Sequence, residues 1–507
     1  MKRKVRKFMV NRRSISIALL LIQFLLTLTF LYWLSHRQFI LYYFLEFISL
    51  CVIVWLIRKN DNPAYKIPWI IVILLLPPFG VLFYIFWGNT PFNRARLVKI
   101  RPLDSEQLEQ KKQSSLRELC TRSPRHRRMG TYLHKIAGMT VWKNTACEYF
   151  PLGEYQFESM LIELKKAERF IFMEYFIIDL GEMWDAILSI LAEKAQSGVD
   201  VRIMYDDVGC ISTLPPGYRR YLTSLGIRVV AFNRFIPMMN TYLNYRNHRK
   251  VCIIDGNTGY MGGINIADEY INRRERFGHW KDTGFRLTGD GVANLTALFL
   301  QLWDFATGSQ PTPLADYLPT VSVESDGYVQ PFADSPLDAF NVGEAAYMHI
   351  INSASRYVYI TTPYLTLDNE MITALCTAAQ SGVDVRIVTP GIPDKKMVYA
   401  VTRSYYAQLI ESGVKIYEYA PGFIHAKMIV SDNDTAIVGT INMDFRSFYL
   451  HFECACAFYR SSIVDKVRED ILDCIGKSRI VEEDFCKNVS WLTSIGASVL
   501  RALAPIL

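Results

Sequence analysis

No Cys-x-x-Cys pair and no His-Glu-x-x-His run occurs in the 507 residues, so neither a zinc ribbon nor a helical zinc-hydrolase site has support in the sequence. Ten cysteines are present, scattered at 51, 120, 147, 210, 252, 376, 454, 456, 474 and 486. Several sit inside apolar strand-like runs, which predicts buried reduced thiols rather than a disulfide framework. Charge is sparse, with 21% Asp, Glu, Lys and Arg against 50% hydrophobic residues. That balance excludes a disordered tail and, at this length, predicts more than one domain. The soluble part has no basic stripe with interleaved aromatics, which argues against a nucleic-acid partner.

What is abundant is apolar sequence near the N-terminus. Lys2, Arg3, Lys4, Arg6, Lys7, Arg12 and Arg13 supply much of the formal net charge of +7, and they precede three apolar stretches at 14–34, 39–57 and 67–87. Each has about the 17–25 residues a spanning helix needs. No small-residue cleavage site follows the first, so it reads as a retained anchor rather than a signal peptide. Glu46 interrupts the second stretch, and Pro77 and Pro78 break the third, which then crosses or dips in and returns. Three crossings put the remaining chain outside and a re-entrant third keeps it inside. The expectation is a multi-pass anchor over 1–88 and a linker over 89–140. In that linker SEQLEQKKQSSLREL is a solvated helix, TRSPRHRR a loop, and His126 and His134 surface residues.

The soluble part contains a repeat. AQSGVDVRI occupies 195–203 and recurs unchanged at 379–387, each time after a helical pattern and an earlier apolar strand, RFIFMEYFIID at 169–179 and RYVYITTPYLT at 356–366. GIRVVAFN at 226–233 matches GVKIYEYA at 413–420. Strand–helix–strand–helix–strand in each half predicts an α/β fold with a largely parallel sheet, in two halves over 141–310 and 311–507.

Each half then carries the same polar pattern at the mouth of an apolar strand. NHRKVCIIDGNTGYMGGIN (247–265) pairs with IHAKMIVSDNDTAIVGTIN (424–442): His248 with His425, Lys250 with Lys427, Asp255 with Asp432, Gly262 with Gly439, Asn265 with Asn442. One H-x-K-x4-D costs about 0.02 by chance and two about 10⁻⁴. A lone strand histidine is ordinarily a satisfied core residue, and His36, His349 and His451 are read that way. A same-face His and Lys, in contrast, are expensive to bury unless they meet an anion. Two such strands converging across a pseudo-two-fold axis make a phosphate site.

In that site Lys250 and Lys427, with the Asn265 and Asn442 amides, neutralise charge building on the equatorial oxygens of a phosphodiester. One neutral histidine attacks phosphorus while the other, protonated, donates to the leaving alkoxide. Asp282 and Glu453, 34 and 28 residues past the histidines of their own halves, are candidates to orient His248 and His425 respectively, unless they are surface salt bridges. Asp255 and Asp432 have the opposite parity and are expected to tie down the turn after the strand. The chemistry calls for no metal or other cofactor.

The paired HRKVCIID and HAKMIVSD segments resemble the HKD motifs of the phospholipase D superfamily, over roughly residues 145–507. PPFGVLFYIFWG, EKAQSGVDVRIMYDDVG, MGGINIADEY and the closing APIL are similar to bacterial cardiolipin synthases. The resemblance implies two α/β/α sandwich halves around a pseudo-two-fold axis behind a transmembrane anchor in the bacterial cell membrane. It implies His248, Lys250, Asp255, His425, Lys427 and Asp432 as motif residues, with His248 the nucleophile and His425 the acid. Two phosphatidylglycerol molecules would be joined into cardiolipin with release of glycerol. A hydrolase or another phosphatidyltransferase of the superfamily is the alternative.

Overall fold

A computed structural model of the chain describes residues 39–88 apart from 61 and 78, 106–235, 244–338 and 340–482, with isolated positions between 21 and 33 and at 496, 500 and 501. Most of the 14–34 stretch, His36, residues 236–243 and most of residues 483–507 lie outside the described residues.

Parallel pairing requires a crossover, whereas a turn of two or three residues permits only an antiparallel hairpin. Both connections occur in each half. The first half holds β1 (Thr145–Phe150), β2 (Phe170–Tyr175), β3 (Asp200–Asp206), β4 (Arg228–Phe232), β5 (Arg246–Asn247), β6 (Lys250–Ile254), β7 (Thr258–Gly262), β8 (His279–Lys281) and β9 (Gly284–Gly289). The second holds β10 (Tyr328–Asp334), β11 (Tyr357–Thr361), β12 (Asp384–Pro390), β13 (Lys415–Tyr419), β14 (Gly422–Ile424), β15 (Met428–Ser431), β16 (Thr435–Gly439), β17 (His451–Tyr459) and β18 (Ser478–Ile480). The sheets run β1-β9-β7-β6-β2-β3-β4 and β10-β17-β16-β15-β11-β12-β13-β18. The two halves therefore share one topology, as the repeat predicts.

The sheets are mixed, not largely parallel. Along these two orders only β2·β3, β3·β4, β11·β12 and β12·β13 are parallel. The motif strands β6 and β15 return antiparallel to β2 and β11 and continue through tight turns into β7 and β16. Asp255 and Gly256 at the first turn, and Asp432 and Asn433 at the second, have positive φ, which such turns demand.

Helix Val292–Thr307 is buried around most of its circumference, because both sheets contribute to the core it enters: Phe172, Phe285 and Phe299 of the first half join Phe332, Ile437 and Phe458 of the second. The lobes also exchange short strands. β5 pairs in parallel with β17, and β14 with β8.

Residues 106–136 are more than a linker. Glu106–Arg122 and Pro124–Ile136 are helices, and Leu119, Met129 and Leu133 enter the shared core. The expected TRSPRHRR loop is overturned by Ser123–Pro124, a helix start with proline in the first turn. His126 is buried at 3% exposure, with Nε2 2.8 Å from Thr435 Oγ1; His134 is half-buried.

Near the N-terminus the helices are Phe39–Arg58, Pro63–Leu75 and Phe79–Trp87. The break between Leu75 and Phe79 turns the last onto the second. A Cβ at Gly80 would meet Ile73 Cα at 2.3 Å, and Trp69 packs edge-on to Tyr84 at 5.4 Å. Among the described residues no helix is long and apolar enough to cross a membrane. The nine described cysteines are all free, five of them buried.

Candidate active site

The exchanged strands set the two histidines. His248 follows β5, and its N–H donates to the Phe452 carbonyl on β17 at 2.9 Å; His425 follows β14, and its N–H donates to the Lys281 carbonyl on β8 at 2.6 Å. The residue that follows each accepting carbonyl is the carboxylate, Glu453 on β17 or Asp282 just past the end of β8. His248 Nδ1 lies 3.0 Å from both Glu453 oxygens, and His425 Nδ1 lies 2.6 Å from Asp282 Oδ2. The expected orienters are both present but exchanged, since each histidine takes its carboxylate from the other half. A Cβ at Gly263 would fall 2.1 Å from Asp282 Oδ1, so glycine there leaves room for that carboxylate.

Both imidazoles, both lysines and both carboxylates are buried. Lys250 Nζ donates to the His248 carbonyl at 2.5 Å and Lys427 Nζ to the His425 carbonyl. Burial lowers the Lys250 ammonium to about 7, with Glu453 opposing the drop and Lys427 adding to it. Burial likewise lowers Lys427 to about 8, opposed by Asp282 and Glu453. Each lysine thus senses the carboxylates of the cleft, as expected where two half-sites converge.

Burial also drives His248 well below its ordinary value, against the pull of Glu453. His425 is lowered to about 4 by burial and then by Lys427, with Asp282 opposing. Burial thus disfavours the charged form of both rings, so the protonated member of the expected neutral–charged pair needs added negative charge beside it. Burial would raise Glu453 and Asp282, but the adjacent imidazoles, joined at Asp282 by Lys427, outweigh it and hold both carboxyls below their usual values.

The other motif residues lie elsewhere. Asp255 and Asp432 are at the far end of the motif strands, about 16 Å along from the lysines at 3.3 Å per residue. Asp255 accepts from the Glu168, Arg169 and Phe170 amides. Asp432 accepts from those of Ser355, Arg356 and Tyr357 and pairs with Arg125 at 2.7 Å. They fasten the turn, as expected from their parity in the strand. Asn265 Oδ1 accepts from the Ile177 amide, and one of the two Nδ2 protons goes to the Tyr270 hydroxyl. Asn442 Oδ1 is buried without a hydrogen-bond partner. Arg249, opposite in parity to His248 and Lys250, turns into the core, donates to the Glu453 and Leu298 carbonyls and faces Glu174 at 3.9 Å.

Several neighbours were not anticipated. His425 is enclosed by Tyr270, Trp280 and Phe423, with ring centroids 5.5, 5.7 and 5.8 Å away. His248 stands against Phe176 at 5.1 Å and His451 at 5.4 Å. The core assignment of His451 is therefore corrected: it sits beside the site, two residues before Glu453 on the same strand face.

Two histidine–lysine half-sites on a duplicated α/β frame define a protein of the phospholipase D-like class. The family model described as cardiolipin synthase, PLD-like domain, matches residues 160–299 and 347–474, and one described as phospholipase D-nuclease N-terminal matches 47–89. The chain is 43% identical over 461 residues to an uncharacterized protein of Streptococcus mutans, covering 90% of this chain and 99% of that one. It is 35% identical over 506 residues to a cardiolipin synthase of Geobacillus kaustophilus, covering 98% and 100%. A solved phosphatidylserine synthase from Haemophilus influenzae shares the fold, with a TM-score of 0.57 at 13% identity over 76% of this chain and all of that one. The chain belongs to the cardiolipin synthase family with PLD-like domains.

Proposed function

We propose that the protein is a cardiolipin synthase, a phosphatidyltransferase acting on two phosphatidylglycerol molecules. The observation that carries the reading is the crossed pair of histidine–carboxylate contacts, His248 with Glu453 and His425 with Asp282, flanked by two buried lysines. A carboxylate on Nδ1 keeps the ring proton there and leaves Nε2 as the attacking lone pair.

His248 Nε2 attacks phosphorus of the first lipid, the P–O bond to its glycerol headgroup breaks, and His425 delivers a proton to the departing oxygen. The bound phosphodiester brings the negative charge that lets His425 hold that proton, which burial alone disfavours. A headgroup hydroxyl of the second lipid then attacks the phosphohistidine, His425 takes its proton, and the P–N bond breaks to release cardiolipin. Lys250 and Lys427 stabilise the equatorial oxygens in both steps.

The protein acts as a multi-pass enzyme of the bacterial cell membrane in this reading. Ile40, Phe44, Phe47, Leu50, Val54 and Ile57 are exposed around helix Phe39–Arg58, an apolar surface suited to lipid. The test is lipid mass spectrometry of purified protein incubated with phosphatidylglycerol. Cardiolipin and free glycerol in equal amounts are expected; phosphatidic acid without cardiolipin would reassign the chain to a hydrolase of the same superfamily.

A further inference from the structure

The two half-sites differ at one equivalent position. In the strand exchange, His451 is opposite Arg246 on β5 and Trp280 is opposite Phe423 on β14. These pairs stand at matching steps before His248 and His425, so His451 and Trp280 are counterparts. Duplication alone gives no reason for an imidazole in one and an indole in the other. An indole cannot ligate a metal ion, and an imidazole can.

His451 is about nine-tenths buried, with a side-chain exposure of 10%, and its Nδ1 is 3.5 Å from Glu453 Oε1. That long approach is the Nδ1 atom's one polar contact among the described residues, and Nε2 has no hydrogen-bond partner, which is costly for a buried polar ring. The same Oε1 lies 3.0 Å from His248 Nδ1. One donor atom from each of His248, His451 and Glu453 can be chosen such that all three lie within 4.8 Å of one another. Tetrahedral zinc, with bonds of about 2.0–2.2 Å, places its donors roughly 3.3 Å apart. The two separations at Glu453 Oε1 bracket that value. Thr440 Oγ1 donates to the other oxygen, Oε2, at 2.5 Å and fixes the carboxylate from behind, as supporting groups do at metal sites.

We propose that His248, His451 and Glu453 form an inhibitory site for a divalent transition-metal ion of the zinc type. The ion takes the Nδ1 lone pairs of both imidazoles and Glu453 Oε1, with water completing the set. On His248 the ring proton moves from Nδ1 to Nε2, so the ring stays neutral but Nε2 loses the lone pair that attacks phosphorus. Glu453 turns from ring to ion, and no electron transfer or net loss of a proton from His248 is involved. Two imidazoles and one carboxylate favour zinc over magnesium or calcium, which take oxygen ligands. The nearby Lys250 and Lys427 ammoniums oppose a cation, so binding is reversible and weaker than in a structural zinc site. Ion binding does not rest on the functional reading above, whereas inhibition does.

The experiment uses full-length protein stripped with EDTA and two readouts. In the first, cobalt(II) is titrated in the absence of lipid; one equivalent should give the intense visible bands of a four-coordinate ion, absent from both His451→Asn and His451→Gln. In the second, zinc chloride is added to cardiolipin-forming assays. Wild type should lose at least tenfold activity, regain it with EDTA and ignore magnesium, while each variant, measured against its own metal-free rate, should need at least tenfold more zinc. Wild type without the cobalt spectrum, or spectra and zinc sensitivity unchanged in both variants, would overturn the proposal. Absence of cardiolipin formation by metal-free wild type would overturn the functional reading instead, and the cobalt spectrum would still decide the ion site.

Discussion

Asp282 Oδ2 and His425 Nδ1 are 2.6 Å apart although 143 residues separate them and they belong to different halves of the chain. The reciprocal contact joins His248 to Glu453 across 205 residues. Neither motif histidine, His248 or His425, takes its carboxylate from its own half, so the active cleft exists only when both lobes are docked.

The first prediction follows from the tautomer. Asp282→Asn or Glu453→Gln keeps size and removes the charge that holds the Nδ1 proton, and kcat should fall by roughly a hundred- to ten-thousand-fold. Steady-state rates on phosphatidylglycerol vesicles, with thermal unfolding to verify folding, measure this. A loss below tenfold in Asp282→Asn would refute the orienting role.

The second concerns the covalent step. With radiolabelled phosphatidylglycerol and an alkaline quench, which preserves phosphohistidine, label should be found on the His248 peptide in wild type and in His425→Ala. It should be absent from His248→Ala, whose turnover should fall by about 10⁴ or more. Label on His425 would exchange the two roles.

The duplication and its motif residues were legible because the same spacing was written twice, and the sheet order follows that repeat up to the added edge strand β18. The carboxylate partners were legible as residues but not as pairs. Their exchange depends on β5, β8 and β14, strands of two or three residues, too short for any periodicity to register. Strand direction was misjudged for a related reason: hydrophobic runs report burial, whereas the Asp255–Gly256 turn that forces β6 and β7 antiparallel is a local backbone matter. His451 did leave a signal, its same-face spacing from Glu453, but a single strand histidine carries little weight until its neighbours are known. His126 was hidden because the residues against it, Thr435 and Tyr459, come from more than 300 positions away.

The third prediction is a pH dependence centred on Lys427. Burial holds its ammonium at about 8, while Asp282, Glu453, Asp444 and Asp394 pull upward. The lysine is therefore charged at pH 7 and loses its proton as pH rises through 8. The rate at low phosphatidylglycerol, which reports the free enzyme, should fall as pH rises above 7, where Lys250 loses its proton, and more steeply above 8, where Lys427 follows. In Lys427→Arg, whose guanidinium stays protonated, the residual activity should keep the shallower Lys250 limb and lose the added steepness above 8. An unchanged limb in that variant would mean that another group is titrating.

The fourth separates the motif aspartates from the chemistry. Asp432 accepts three backbone N–H groups and the Arg125 guanidinium. Burial would raise its carboxyl, but these amides outweigh it and hold it at about 2. Asp432→Ala strands those donors and should cost on the order of 3 kcal/mol, read as a fall in the unfolding midpoint, while kcat per folded molecule stays within a few-fold of wild type. Asp255→Ala should cost less, because its carboxylate is more exposed and faces no equivalent of Arg125 among the described ion pairs. The sign of the linkage gives a second check. A depressed carboxyl contributes fully above its unfolded value near 4 and loses that contribution as pH falls toward 2, so wild type and Asp432→Ala should converge in stability across that interval. A variant with normal stability and abolished turnover would place Asp432 in the reaction after all.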